Sequence, residues 1–217
     1  MAKELLTTPK GEASYPWLNK ADEKYNPVRY KTNLIVDAND ASELVAKLED
    51  ILEEHYQTIS EKEADSNYDE IRKADLPFYE EDGKIIFTTH VNKFGKNAKT
   101  GDEWENKVAF YDAGGKFMPE KKRPLVGGGS IIRVSFEPNL WAMPDSEGKG
   151  KSKKLFLDVG LSMRLKGIQV ISVSQGGGER SAESMGFGVE EGGYEYNPDE
   201  FDNDSMEADE GTEAGDF

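Results

Sequence analysis

The sequence predicts a mainly β domain, a small curled antiparallel barrel with one amphipathic helix, followed by an acidic tail. Three observations lead there. Several segments alternate apolar and polar residues with period two. One segment alone repeats its apolar residues at helical spacing. The last stretch carries charge but no apolar face. At 217 residues the chain is long enough for one domain with a real core plus a tail.

Residues 1–18 read as one or two short strands, with Pro9 and Gly11 marking a turn. Residues 28–36 make a clearer strand. Val28, Tyr30, Leu34 and Val36 take one face, and Arg29, Lys31 and Asn33 the other. Asp40 then caps a helix, with Glu43 three residues on as in a capping box. Leu44, Val45, Leu48, Ile51, Leu52, Tyr56 and Ile59 form its apolar stripe, opposite an acidic face. His55 borders that stripe and reads as a surface histidine. Residues 61–82 are polar and contain Pro77, which predicts a loop with frayed helix.

Residues 84–91 are a strand, 92–106 a Lys-rich hairpin loop holding Phe94 and Trp104, and 107–112 its return strand. Residues 112–115, Asp-Ala-Gly-Gly, make a turn. A Gly triplet at 127–129 opens a strand over 130–136, and residues 137–153 read as a long loop containing Trp141. In the strand over 154–163, Leu155, Leu157, Val159, Leu161 and Met163 face the core, with Phe156 and Asp158 outward. Residues 167–174 are the last strand. Five or more antiparallel strands and one helix fit a five-stranded Greek-key barrel of the oligonucleotide-binding kind. The helix comes early for that fold, after the strand over 28–36.

The predicted boundary puts the domain at 1–178 and a disordered tail at 179–217. Residues 197–217 hold nine carboxylates and no Lys or Arg. Such a segment cannot bury enough apolar surface to offset the entropy of ordering. It nevertheless ends on Phe217, directly after Asp216. A solvating tail has no need of a terminal aromatic, whereas a tail that docks into a basic, partly apolar pocket does.

The net charge of −16 is segregated. Residues 40–83 carry −11 and residues 179–217 carry −13, while residues 84–166 between them carry +7. An acidic chain can therefore still present a basic field to a polyanion. Within that basic stretch cations and rings interleave. Lys93, Lys107, Arg133, Lys153, Lys154 and Arg164 are the candidate phosphate contacts. Phe94, Trp104, Tyr111, Trp141 and Phe156 are the candidate stackers. Unpaired nucleic acid needs that mixture, because cations track the phosphates and flat rings stack on splayed bases.

Enzyme chemistry finds little material. There is no cysteine, and His55 and His90 are the only histidines, so thiolate sites, zinc hydrolysis and nucleophilic triads are poorly served. Residues 148–152 resemble a phosphate-binding loop, but Asp145 stands where its first Gly belongs. Asp102, Glu103 and Glu105 read as charge balance in a Lys-rich hairpin rather than as a metal site. No cofactor and no metal is expected. No apolar run is long enough to span a membrane and the N-terminus lacks a signal peptide's apolar core, so a soluble cytoplasmic protein is expected.

Several of these residues together have a family likeness. Residues 127–130 (Gly-Gly-Gly-Ser), the alternating strand after them, Trp141, the long Leu/Val strand, residues 176–179 (Gly-Gly-Gly-Glu) and a tail closing Glu-Ala-Gly-Asp-Phe resemble the single-stranded DNA-binding protein of short-tailed lytic bacteriophages. The early helix is similar too, and the likeness spans essentially the whole chain. The resemblance implies an oligonucleotide-binding fold and sequence-independent binding of single strands. It implies a homodimer that serves phage DNA replication, recombination and repair and promotes annealing. It further implies that the tail, here with Asp209, Glu210, Glu213, Asp216 and Phe217, recruits the phage DNA polymerase and primase-helicase. The competing reading is an acidic interaction module or DNA mimic that never touches nucleic acid, against which the +7 stretch speaks.

Overall fold

The computed structural model describes residues 4–97, 99–148 and 153–174. The predicted docking residues Asp209, Glu210, Glu213, Asp216 and Phe217, and the predicted boundary at 178, lie outside the described residues.

The chain enters through β1 (Leu6–Thr7) and β2 (Gly11–Asp22), then β3 (Arg29–Asp37). β3 alternates as its sequence predicts: Thr32, Leu34 and Val36 are buried, with Lys31 and Asn33 on the opposite face. It runs without a loop into helix α1 (Ala38–Lys62). The cap is therefore Asp37 and not Asp40. One oxygen of Asp37 accepts the Asn39 N–H at 3.1 Å, and the other accepts Lys84 Nζ at 3.2 Å. These bonds, the backbone one first, hold its carboxyl below the usual carboxylate range. Asp40 sits in the first turn, where negative charge suits the helix dipole. The helix buries Ala41, Leu44, Leu48 and Leu52, the centre of the expected stripe.

Residues 61–82 are not simply a loop. They contain β4 (Glu70–Lys73) and β5 (Phe78–Glu81), too short and polar to show a period of their own. β6 (Lys84–Asn92) follows, then a two-stranded ribbon of β7 (Phe94–Lys96) and β8 (Glu103–Glu105). β9 (Ala109–Tyr111) was expected to return along β6. It pairs instead with β11 (Lys154–Ser172), in parallel. β10 (Ile131–Glu147) continues through most of the stretch read as a loop, in register with β11 as far as Glu147 opposite Lys154. Trp141 is thus a strand residue.

β11 organises the sheet. One edge pairs with β10 along nearly its whole length. The other edge takes three parallel partners in succession: β4 at 156–159, β6 at 163–164 and β9 at 167–169. The sheet is therefore mixed, not purely antiparallel. Because β10 also pairs with β2, the ladder β2-β3-β6-β11-β10 returns to its first strand. Phe87, Phe110, Phe136, Leu34, Leu48, Ile132 and Met163 are almost wholly enclosed among these strands and the helix. No helix among the described residues is long and apolar enough to cross a membrane.

The distal halves of β10 and β11 form an arm held to β4 by backbone pairing at 156–159 and by one arginine. Arg72 donates from Nε to Asp158 at 2.8 Å, from Nη1 to Glu147 at 2.7 Å and from Nη2 to Asp145 at 2.9 Å. Its guanidinium lies 3.9 Å from the centre of the Phe156 ring. These acceptors, Asp158 first, raise its pKa further above the ordinary arginine value. Arg72→Ala should uncover Phe156 and leave three carboxylates facing one another. Hydrogen exchange should quicken over residues 70–73 and 145–158 while β3 and β6 keep their protection. Unchanged exchange in the arm would mean that its backbone ladder alone holds it.

Candidate nucleic-acid interface

The sheet register sets a row of side chains across three strands. Lys31 of β3 lies opposite His90 of β6, which lies opposite Arg164 of β11. Their neighbours Thr32, Thr89 and Met163 are buried, so the row faces outward. Two clefts meet at His90. One is lined by Tyr15, Tyr25, Arg29, Lys31, Asn33 and Thr88. The other is lined by Asn92, Phe94, Asn106, Asn139, Ser162 and Arg164.

The first cleft is basic and aromatic. The Arg29 guanidinium lies 3.7 Å from the Tyr25 ring centre and Lys31 Nζ lies 4.1 Å from it. These cations, Lys31 first and then Arg29, pull the Tyr25 phenol below its ordinary pKa. Lys31 is also anchored 3.0 Å from Asp22. Burial pushes the Asp22 carboxyl upward, but Lys31 and the Lys24 N–H together outweigh it and leave that carboxyl below its usual range. Arg29 Nε is buried and makes no hydrogen bond among the described residues. Opposite stands Tyr15, 77% exposed, at a break in the β2–β3 register. Its φ of 48° is left-handed, an uncommon conformation for a bulky residue. Bulges of this kind re-aim a side chain, and strain of this kind is kept where it serves a site.

The second cleft has tryptophans beside it. Trp104 pairs in register with Gly95 and Trp141 with Gly160. Each indole lies over its glycine so closely that an added Cβ would sit 2.4 Å from Trp104 and 2.1 Å from Trp141. Each ring thus has one face against backbone. Trp104 Nε1 donates to Asn106 Oδ1 at 3.1 Å, which further fixes that ring. Phe94, 60% exposed, stands at the rim with Lys93 Nζ 5.2 Å from its centre. Cations in a row flanked by oriented rings can hold phosphates and stack bases at once. No group of acidic or histidine side chains among the described residues is arranged to hold a metal ion.

Comparison with known proteins agrees with this chemistry. The family profile described as the single-stranded DNA-binding protein of bacteriophage T7 matches residues 10–165. The chain belongs to that family. It is a family of binding proteins, not of enzymes. The fold is similar to the crystal structure of gp2.5, a single-stranded DNA-binding protein encoded by bacteriophage T7. The TM-score is 0.65 at 22% identity, covering 90% of this chain and 100% of that one. It is also similar to the single-stranded DNA-binding protein of bacteriophage Enc34 in complex with single-stranded DNA. There the TM-score is 0.51 at 10% identity, covering 80% of this chain and 89% of that one. No curated relative matches the chain.

In this member of the phage family, the structure gathers only some of the residues predicted from sequence. Phe94 and Arg164 line the second cleft, Trp104 bonds to its Asn106, and Trp141 stands two positions along β10 from its Asn139. Lys93, next to Phe94, is 3.7 Å from Glu105. Arg133 lines a different cleft, with Asp40, Glu43 and Lys47. Lys107 lies in another, with Tyr30, Glu120 and Arg123. Tyr111 is turned edge-to-face on Phe117 at 5.8 Å. Lys153 and Lys154 are exposed at the far end of the arm. Phe156 requires a correction. It is on the outward face as its alternation predicts, but Arg72 covers it and it is only 6% exposed, so it offers no open face to a base.

Sequence reasoning missed Tyr15, Tyr25, Arg29, Lys31 and His90. The alternation over 28–36 had already put Arg29 and Lys31 on the polar face. The +7 stretch, however, begins at residue 84 and leaves both of them outside it. Nothing local marks Tyr15, whose role comes from its backbone conformation.

Tyr15→Gly should relieve the left-handed strain and leave thermal stability equal or higher, while single-strand affinity falls by about 1–3 kcal/mol as one stacking ring is lost. A destabilised variant would mean that Tyr15 holds the fold instead. His90 supplies a pH test. Burial first, and the nearby Arg29 charge second, depress its pKa from 6.5, so the free protein carries it neutral at neutral pH. Below 6.5 the unfolded chain takes up the proton before the fold does, so His90 costs stability as pH falls. A bound phosphate beside it favours the charged form. Affinity for single strands should therefore rise from about pH 8 to about pH 6, and His90→Gln should flatten that rise. An equal rise in the variant would remove His90 from the interface.

Proposed function

We propose that this protein binds single-stranded DNA across the outward face of β3, β6 and β11, without dependence on overall sequence. The outward row Lys31–His90–Arg164, flanked by exposed rings, carries the reading. Lys31 and Arg29 contact phosphates, Arg164 meets the strand from the second cleft, and Tyr15, Tyr25, Phe94, Trp104 and Trp141 offer faces to bases. The returning ladder of β2, β3, β6, β11 and β10 is then a five-stranded oligonucleotide-binding barrel, with α1 inserted between its second and third strands. Of the residues expected from sequence, Lys93 serves at the rim. Lys107, Arg133, Lys153 and Lys154 contribute longer-range attraction.

The wider role is phage DNA replication, recombination and repair in the host cytoplasm, protecting single strands and promoting their annealing, with the protein acting as a homodimer. The family membership supports it. The acidic tail, 179–217, recruits the phage DNA polymerase and primase-helicase, with Phe217 as apolar anchor among Asp209, Glu210, Glu213 and Asp216. Its fourteen acidic residues against one basic support a partner with a cationic patch.

Salt titration with an oligo-dT probe tests the interface. Two neutralised phosphates give a slope of about −1.4 for log K against log salt, at ~0.7 each. Arg29→Ala should shallow that slope by about 0.7, and duplex of the same length should bind more weakly. A slope near zero, or equal preference for duplex, would defeat the reading. The tail is tested in parallel: deletion of residues 196–217 should abolish capture of polymerase and helicase while single-strand binding persists. Capture that survives the deletion would make the tail a solubility device.

A further inference from the structure

The second cleft is built differently from a surface that only tracks phosphates and stacks rings. Its walls are hydrogen-bonding side chains held in place. Asn106 is committed at both ends of its amide, donating from Nδ2 to the Asn92 carbonyl at 2.8 Å and accepting from Trp104 Nε1 at 3.1 Å. Asn139 donates from Nδ2 to Ser162 Oγ at 3.2 Å, which leaves its Oδ1 without a donor among the described residues. Arg164 lines the same cleft and makes no ion pair among the described residues, so its fork of N–H donors is uncommitted. Phe94 stands at the rim. The cleft measures 230 Å³. One water needs only ~10–15 Å³ of such space, so the cleft takes a group many waters in size.

The donor and acceptor set selects among bases. An arginine fork wants two adjacent acceptors, and a nearby amide oxygen wants a donor. Guanine offers both, with O6 and N7 adjacent on one edge and N1–H and N2–H on another. Adenine places its N6 donor beside N7, so it can satisfy only one N–H of the fork. Thymine separates its two carbonyl acceptors by the N3–H. Cytosine has adjacent acceptors at O2 and N3 and is the nearest competitor, though its donor lies on that same edge.

We propose that the cleft between β6, the β7–β8 ribbon and β11 is a base-reading pocket for one unpaired guanine, recognised by Arg164 and Asn139 beneath the Phe94 ring. The inference rests on the single-strand reading above and refines it. Binding stays tolerant of sequence along the strand but gains at the one nucleotide that occupies this pocket. A protein that can slide on the strand would then settle with a guanine there.

Competition against a labelled oligo-dT probe tests it, using dT strands of about a dozen nucleotides that carry one central dG, dC or dA. The dG strand should displace the probe at least about fivefold better than plain dT, the lower end of what one good bidentate contact discriminates. Arg164→Lys keeps the charge but not the fork, and should erase the ratio between dG and dT strands whatever it does to both affinities. Equal displacement by all strands overturns the pocket while leaving single-strand binding standing. Preference for dC overturns the guanine assignment. A dG advantage that survives Arg164→Lys assigns it to stacking and overturns the proposal. Failure of the plain dT probe to bind strikes at the single-strand reading itself.

Discussion

The two-edged pairing of β11 is the constraint from which the rest of the structure follows. Nineteen residues of strand give β10 one full edge and share the other among β4, β6 and β9. Only a parallel neighbour in the right register brings Arg164 beside His90, and only the antiparallel β3–β6 register brings His90 beside Lys31. A shift of one residue in either ladder would turn one of these cations into the core. The buried layer of Thr32, Thr89 and Met163 beneath the row resists that shift, and Thr89 Oγ1 donates to the Thr32 carbonyl at 3.1 Å within it.

Around the row, the fold holds its polar groups ready rather than leaving them to solvent. Lys31 is steadied by Asp22 and by the Tyr25 ring, and Arg29 by the same ring. The tryptophans gain orientation from glycines: backbone covers one face of each indole, which limits where the ring can turn. Ordering these groups in the free protein reduces the entropy that binding would otherwise have to overcome. The clamp at the arm uses the same materials to the opposite end. Arg72 and Phe156 satisfy each other and three carboxylates, so a cation and a ring that look suited to a ligand are consumed by the structure.

That contrast explains which candidate site residues were legible in the sequence. Phe94, Trp104 and Arg164 could be found because a large ring or a cation in a polar context is informative by itself. Phe156 misled for the same reason, since the arginine that covers it is eighty-four residues away in the chain. Arg29 and Lys31 were visible as the polar face of a strand but not as part of the site, because segment charge says nothing about which strands become neighbours. The strands β4 and β5 escaped notice because four-residue segments have no period to detect, and their strand conformation comes from pairing with β11 and β6.

By itself the sequence determined the β-rich class, the early helix with its apolar stripe, the separation of charge into basic and acidic blocks, and the family likeness. Those features follow from local periodicity, which backbone geometry imposes at 2.0 and 3.6 residues, and from composition, which needs no neighbours. Only the tertiary structure decided that β9 joins β11 rather than β6, that β10 runs on through a stretch that reads as loop, and that Phe156 is covered while Tyr15 is turned outward. Pairing is settled by contacts between residues distant in the chain, and exposure by whatever crosses above a side chain. Neither quantity is written in the order of neighbouring residues, and the candidate interface consists of both.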